Sequence, residues 1–198
     1  ALYKWGTEAG HVDEDPTLGV KTPAPQTDGH HTWTVDEVLA FQRIYPLGTM
    51  PRLALDVLLY TGMRASDAIR FGRQHIREGI IEYRSLKTKT EVIIPLLEPL
   101  RISIDAAADK KQMAILTTGF GGAFASVNSF GNWFRKHCKK AGVPGRAHGL
   151  RKAGATIAAE NGASDRQLMA MFGWATARQA GVYTRKASSK TLAREAAL

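Results

Sequence analysis

The chain has 198 residues, of which 44% are apolar, so it is long enough to bury the core of one large domain. Lys and Arg number 27 against 18 Asp and Glu, and the resulting charge of +9 favours a polyanionic partner such as duplex DNA. A single cysteine, Cys138, excludes an internal disulfide and a cysteine-rich zinc site, and no apolar run approaches the roughly 18 residues of a membrane span. We therefore expect a cytoplasmic protein with no membrane partner, although charge alone also fits a basic protein that binds no polyanion.

The first 32 residues differ from the rest of the chain in composition. Residues 1–12 have the pattern of a helix end that stops near Gly10, with no secretory signal and no initial Met, and we interpret them as cut from a longer chain. Residues 13–32 contain three prolines and little periodicity, which predicts a linker. His30 and His31 are then solvated linker residues rather than metal ligands, because no further ligand spacing accompanies them.

Helix signals begin directly after this linker. Thr34 and Glu37 have the spacing of a capping box, and the helix that they open ends near residues 45–46. Pro51 opens a second helix, and Gly62 closes it. Both predictions depend only on neighbouring residues.

A short helix over residues 67–71 is predicted next, with Ser66 as its N-cap. Arg64 therefore lies at a break between two helices, where its side chain can project from a rigid frame. Residues 79–84 and 91–96 are rich in β-forming residues, and the basic polar stretch between them predicts a hairpin. Further helices are predicted over 97–110, 126–141, 148–161, 164–172 and 176–183. The fold class is mainly α with a small antiparallel β-sheet.

The predicted helix over 126–141 has two different faces. Its aromatic residues recur at helical spacing, which is more typical of a core than of a base-stacking platform: Phe130, Trp133 and Phe134. Its other face is basic and is expected to contact DNA phosphates without reading sequence: Arg135, Lys136, Lys139 and Lys140.

Several short motifs follow one another along the chain. They are TGMRASD at residues 61–67, HGLR at 148–151, GW at 173–174 and YT at 183–184. In this order, with a basic hairpin between the first two, they resemble the conserved boxes of the tyrosine recombinases, also called phage-type integrases, over residues 33–190. The resemblance implies the catalytic-domain fold of that family.

The resemblance also implies a role for each motif residue. Tyr183 is the expected nucleophile, which attacks a DNA phosphate, forms a 3′-phosphotyrosine and releases a 5′-hydroxyl, so that strands can be rejoined without ATP. Arg64 and Arg151 hold the non-bridging oxygens of that phosphate. His148 donates a hydrogen bond to the phosphate or takes the proton of Tyr183. Taken alone, each residue would have an ordinary structural role, as a packing tyrosine, a salt-bridged arginine or a capping histidine.

The resemblance predicts a lysine at the hairpin tip as the general acid that protonates the leaving 5′-oxygen. Lys87 has the expected position, a few residues before the second strand, and Lys89 is the alternative. If Lys87 is the acid, Lys89 is either a contact to a backbone phosphate or simply a charged turn residue. Trp174 stands where most relatives have histidine, and its indole can donate a hydrogen bond but cannot move protons. Asp67 replaces the usual glutamate; it either orients Arg64 or His148 or caps a helix N-terminus.

The resemblance implies a division of the chain and a set of partners. Residues 1–12 are the expected remnant of an N-terminal core-binding helical domain, 33–183 the catalytic domain and 184–198 a tail helix. The tail would anchor in a neighbouring protomer through Leu192 and Leu198, or fold back on its own domain. The expected partner is double-stranded DNA, bound by a homo-oligomer that is a tetramer on DNA and can be a monomer without it. No cofactor and no metal are expected, since no paired acidic residues stand out.

The function implied is site-specific recombination of a phage or mobile element in the bacterial cytoplasm, at the nucleoid. One alternative keeps the tyrosine chemistry in a topoisomerase-like or resolvase-like enzyme. Another is a DNA-binding regulator without catalysis, which the departures at Asp67 and Trp174 leave open.

Overall fold

The computed structural model describes residues 2–20, 29–107 and 111–196, with side chains described through residue 189. Its helices are α1 (Leu2–Glu8), α2 (Val35–Ile44), α3 (Met50–Thr61), α4 (Ala65–Ala68), α5 (Glu98–Ala107), α6 (Val127–Lys140), α7 (Ala147–Glu160), α8 (Asp165–Phe172) and α9 (Ala177–Ala196). Its strands are β1 (Ile76–Arg77), β2 (Ile80–Arg84) and β3 (Glu91–Pro95). The predicted class, mainly α with a small antiparallel sheet, is confirmed.

The local signals at the start of the main domain are confirmed. The Glu37 amide donates to the Thr34 hydroxyl at 3.2 Å, and the Thr34 amide donates to the Glu37 carboxylate at 2.8 Å. This reciprocal capping box begins α2. Pro51 lies in the first turn of α3, and Gly62, at φ +61°, ends that helix in the left-handed region.

The predicted N-cap of the next short helix was wrong. The backbone of Arg64 is extended, and its carbonyl accepts from the amides of Asp67 and Ala68 at 2.9 Å. Helix α4 therefore begins at Ala65 and ends at Ala68, with Arg64 at the N-cap position and Ser66 inside the first turn. The prediction that Arg64 lies at a break between two helices is confirmed.

Gly62→Ala is expected to lower the free energy of unfolding by about 3 kcal/mol. A Cβ at this position would overlap the Phe172 ring of α8, which adds an overpacking cost of about 2 kcal/mol to about 1 kcal/mol of left-handed strain. Gly79→Ala is the matched control, because Gly79 has φ +76° and open space around its Cβ position. Urea denaturation of both variants separates the cost of the steric overlap from the cost of left-handed strain. Equal losses of unfolding free energy in the two variants would contradict the overlap with Phe172.

The small sheet presents one face to the core. In the antiparallel pairing of β2 with β3, Ile81 lies opposite Ile94 and Tyr83 opposite Val92, and these four side chains are buried. The hairpin is thus confirmed. Among the described residues the sheet has three strands in the order β1-β2-β3. The sequence did not indicate β1, because two residues are too few to show an alternation.

The main core lies between α3, α5, α7 and the buried side of α6. Phe130 and Phe134 of α6 are fully buried, and Trp133 packs partly against them. The predicted core role of these aromatic residues is confirmed. The predicted phosphate-contacting residues of α6 are exposed: Arg135, Lys136, Lys139 and Lys140. None of the helices in the described part of the chain is long and apolar enough to cross a membrane.

Helix α9 runs through Tyr183 without interruption, whereas the predicted helix ended at that residue. It packs on α7 and α8, and its Ala180 and Ala187 are buried in a second apolar cluster. The helix therefore rests on its own domain at least as far as Ala187. The predicted anchor Leu198 and the side chain of Leu192 lie outside the described residues.

Candidate active site

A cavity of about 340 Å³ opens where α4, the β2–β3 turn, α7 and α9 meet. It is lined by Arg64, Lys87, His148, Arg151, Lys152, Trp174, Gln179, Val182 and Tyr183. All six residues predicted to be catalytic are in this set. They come from five separate segments or turns, so the tertiary fold has brought together side chains up to 119 positions apart in sequence (64 to 183).

Arg151 is the buried cation at the floor of this cavity. Its residue is 5% exposed, and its terminal nitrogens donate to the backbone carbonyls of Gly62 and Phe172. The guanidinium lies 5.3 Å from the centroid of the Phe172 ring and 5.6 Å from that of Trp174. Burial and the nearby charge of Arg64 lower the pKa of Arg151 to about 10, so it remains charged at neutral pH. Three of its five N–H donors remain for other acceptors.

Arg64 is held by a short chain of hydrogen bonds. Its guanidinium donates to the Ser85 hydroxyl at 3.2 Å, and that hydroxyl donates to the buried Asp67 carboxylate at 3.2 Å. The second Asp67 oxygen accepts from the Leu86 amide at 3.0 Å. Asp67 makes no capping hydrogen bond to α4; its carboxylate ties α4 to the turn that carries Lys87. This geometry corresponds to the orienting role for Arg64.

The two candidate lysines of the hairpin tip occupy different positions. Lys87 lines the cavity. Lys89 has a left-handed backbone at φ +57°, with its amide donating to the Ser85 carbonyl and its own carbonyl accepting from Arg84, each at 2.8 Å. The Lys89 backbone therefore closes the turn, and the Lys87 side chain is the one that faces the other cavity residues.

Tyr183 lies on the ring of Trp174. The two rings are nearly parallel, at 11° and 5.4 Å between centroids, and Trp174 in turn stacks on Phe172 at 5.0 Å. Trp174 is thus a buried platform for the phenol. Burial raises the pKa of Tyr183, against the opposing charge of Arg151, so the phenol is protonated at neutral pH. A base must therefore remove its proton before or during any attack.

His148 lies in the first turn of α7, close to a histidine that the sequence interpretation left in the linker. Its ring is 4.7 Å from that of His30. Partial desolvation lowers the pKa of His148, and the positive charges of His30, Arg151, Lys152 and Arg64 lower it further. The imidazole is therefore neutral at pH 7 and able to accept a proton.

The interpretation of His30 and His31 as solvated was incomplete. Both are exposed, but the His30 carbonyl accepts from Lys152 at 2.7 Å, and the His31 ring contacts the Glu37 carboxylate at 2.8 Å. Within the described ranges, no three His, Cys, Asp or Glu side chains form a group that could hold a metal ion.

A sequence profile of the phage integrase family matches residues 33–190. The chain belongs to the phage integrase family. The match covers every motif residue named above, from Arg64 to Tyr183.

Known members and solved structures resemble this integrase-family chain at low identity. Tyrosine recombinase XerD of Listeria innocua serovar 6a is 23% identical over 192 residues, which cover 88% of this chain and 64% of XerD. A lambda integrase dimer bound to a COC' core site matches with a TM-score of 0.74 and 19% identity, over 92% of this chain and 55% of the integrase. XerA recombinase matches with a TM-score of 0.69 and 20% identity, over 97% of this chain and 72% of XerA. The chain thus spans less than two thirds of the length of XerD and of this lambda integrase.

Ser85, Tyr83 and Lys152 are among the residues in or beside this integrase-family site that sequence reasoning missed. Ser85 could have been found, because it directly follows β2 and continues the inward alternation of residues 81 and 83, and a polar residue at an inward position requires a partner. Tyr83, whose pKa burial raises to about 12, was assigned only as a strand residue. Lys152 lines the cavity one position beyond the HGLR motif, and no sequence signal distinguished it.

The predicted DNA-contacting residues do not belong to the cavity lining. Arg135 donates to Asn132 on its own helix at 3.3 Å, and Lys136 and Lys139 lie exposed on α6. Any contact that they make with a nucleic acid would therefore be separate from this cavity.

Proposed function

We propose that this chain contains the catalytic part of a site-specific tyrosine recombinase, which cuts and rejoins double-stranded DNA through a 3′-phosphotyrosine. The observation that carries the proposal is the single cavity in which a phenol, two guanidiniums, an ammonium and an imidazole face one another. Membership of the phage integrase family supports it. We assign residues 33–183 to the catalytic domain, 184–198 to the tail, 13–32 to a linker and 1–12 to a core-binding domain.

The proposed reaction is an in-line displacement at phosphorus. The Tyr183 oxygen forms a bond to the phosphorus while the bond to the 5′-oxygen breaks, and the electron pair leaves with that oxygen. His148, neutral at pH 7, takes the phenol proton, and Lys87 gives a proton to the leaving oxygen. Arg64 and Arg151 hold the non-bridging oxygens, where negative charge builds up. Rejoining is the same step in reverse, with the phosphodiester energy kept in the tyrosyl bond.

The proposed partner is duplex DNA, with Lys89, Arg135, Lys136 and Lys139 contacting its backbone. The net charge of +9 and the exposure of these side chains support this. Lambda integrase has been solved as a dimer bound to a core site and as a tetramer bound to a Holliday junction. By analogy we propose that this protein assembles as a homo-oligomer on DNA, a tetramer in the complete complex, in the bacterial cytoplasm.

A nicked duplex that on cleavage loses a short fragment bearing the new 5′-hydroxyl tests the proposal. The protein is expected to form an adduct that survives SDS, and peptide mapping should locate the nucleotide on Tyr183. Strand exchange between two labelled duplexes, without relaxation of a supercoiled plasmid, would favour a recombinase over a topoisomerase. Absence of any adduct would support a non-catalytic regulator and reject the proposal.

Lys87→Ala is expected to slow adduct formation by roughly 10²-fold, because the 5′-oxygen would leave without a proton. A duplex with sulfur in place of that oxygen should restore the rate, since a thiolate leaves readily unprotonated. Lys89→Ala is the matched control from the same turn; because it removes one proposed phosphate contact, it should slow cleavage slightly and to the same extent on both duplexes. Equal defects of Lys87→Ala on the oxygen and sulfur duplexes would reject the role of general acid.

A further inference from the structure

A segment that precedes the main domain lies across the first turns of α7. We call residues 29–34 the strap. Lys152 donates to the His30 carbonyl at 2.7 Å, and the Trp33 indole donates to the Arg146 carbonyl at 3.1 Å. The imidazole of His31 contacts the Glu37 carboxylate at 2.8 Å. The strap is therefore held at three of its residues, His30, His31 and Trp33, and the first and last of these are bound to α7 or its N-cap.

Two glycines allow the strap to approach the backbone of this region. A Cβ at Gly149 would overlap the His31 carbonyl, and a Cβ at Gly145 would overlap the Trp33 indole. Any other residue at either position would displace the strap. Gly149 lies directly after His148, so the strap contacts the helix at the residue next to the imidazole.

His30 is the strap residue that reaches the active site. Its ring lies 4.7 Å from the His148 ring at an interplanar angle of 55°. The charged and titratable groups that face His148 from the packed elements are His30 of the strap, Arg151 and Lys152 of α7, Arg64 before α4, Lys87 of the turn and Tyr183 of α9. Of these, His30 makes the ring contact.

We propose that His30 is a positioning residue, whose ring, held by the strap, orients the His148 imidazole toward the active-site cavity. The expected effect on the reaction rate rests on the proposed function, whereas the orientation of the His148 ring by His30 does not. A freely rotating imidazole loses entropy when it must point at one atom, and a packed ring reduces that cost. His30 also partly covers His148 and carries like charge when protonated, and both effects lower the pKa of His148.

The first test is an NMR titration of the histidine rings, which does not require catalysis. His148 is assigned by the signal that His148→Gln removes. His30→Ala is expected to raise the pKa of His148, because it removes both a desolvating ring and a positive charge. His11→Ala is the matched control, since His11 is an exposed histidine whose ring contacts Trp5 at 5.1 Å, and it should leave the titration of His148 unchanged. An unchanged His148 titration in His30→Ala would overturn the inference.

The second test measures adduct formation on the nicked duplex across pH. His30→Ala should slow it roughly tenfold at neutral pH and move the His148 limb of the pH profile upward. His30→Phe keeps a ring against His148 and should recover most of the rate, whereas a defect equal to that of His30→Ala would reject positioning by the ring. If the wild-type chain forms no adduct at all, the proposed function fails, and the titration still decides the role of His30.

Discussion

Replacing Tyr183 with phenylalanine is expected to abolish the covalent adduct with DNA while leaving the fold intact. The substitution removes the one oxygen that forms the bond to phosphorus, so no slower version of the same step remains. The aromatic ring is kept, and with it the nearly parallel stack on Trp174. The free energy of unfolding should therefore change by less than about 1 kcal/mol. The amount of SDS-resistant adduct measures cleavage, and urea denaturation measures the free energy of unfolding.

A second tyrosine provides the control for this experiment. Tyr60 of α3 is also half-buried, and burial raises its pKa as it does that of Tyr183. Tyr60→Phe should form the adduct at the wild-type rate. Adduct that persists in Tyr183→Phe would show that another residue is the nucleophile and would reject the assignment of the cavity.

Arg151→Ala is expected to lower both activity and stability. Loss of a cation at the non-bridging oxygens should slow adduct formation by roughly 10³-fold. The same change leaves the carbonyls of Gly62 and Phe172 without their donor and opens a space beside the ring of Trp174, so unfolding should become easier by about 3 kcal/mol. Arg151 therefore joins the C-terminal ends of α3 and α8 as well as facing the cavity.

The variant Arg64→Ala separates the loss of activity from the loss of stability. Arg64 is half-buried and donates to a side chain, Ser85, rather than to buried backbone. Arg64→Ala should slow adduct formation about as much as Arg151→Ala, but lower the free energy of unfolding by only about 1 kcal/mol. Urea denaturation without DNA and adduct formation on the nicked duplex make the comparison. Equal stability losses in the two variants would contradict the structural role of Arg151, since only Arg151 is bonded to two buried carbonyls.

Signals that depend on a few adjacent residues were predictable from sequence. Thr34 and Glu37 begin α2 because a capping box needs only a three-residue spacing. Gly62 ends α3 because glycine enters the left-handed region at little cost. The N-cap at Arg64 was not predictable in the same way. Ser66 is the better capping side chain, but the Arg64 carbonyl already accepts the first helical hydrogen bonds.

The motif order predicted which residues meet, although it could not predict how they touch. The six predicted residues line one cavity, as the family resemblance implied. The contacts between these residues were not predictable from the motifs. A capping role for Asp67 was left open beside an orienting one, but its carboxylate bonds to Ser85 and Leu86 of the β2–β3 turn.

The sequence by itself determined the class of fold, the helix ends near Thr34 and Gly62, the hairpin and six of the residues that line the cavity. These follow from local backbone preferences, from hydrophobic periodicity and from short motifs that resemble those of a known family. Only the tertiary structure decided that Trp174 lies between Phe172 and Tyr183, and that His30 reaches His148. Such contacts join residues that are far apart in the chain, or residues that face each other only because of how the helices pack. Contacts of either kind produce no periodic pattern and no fixed spacing in the sequence.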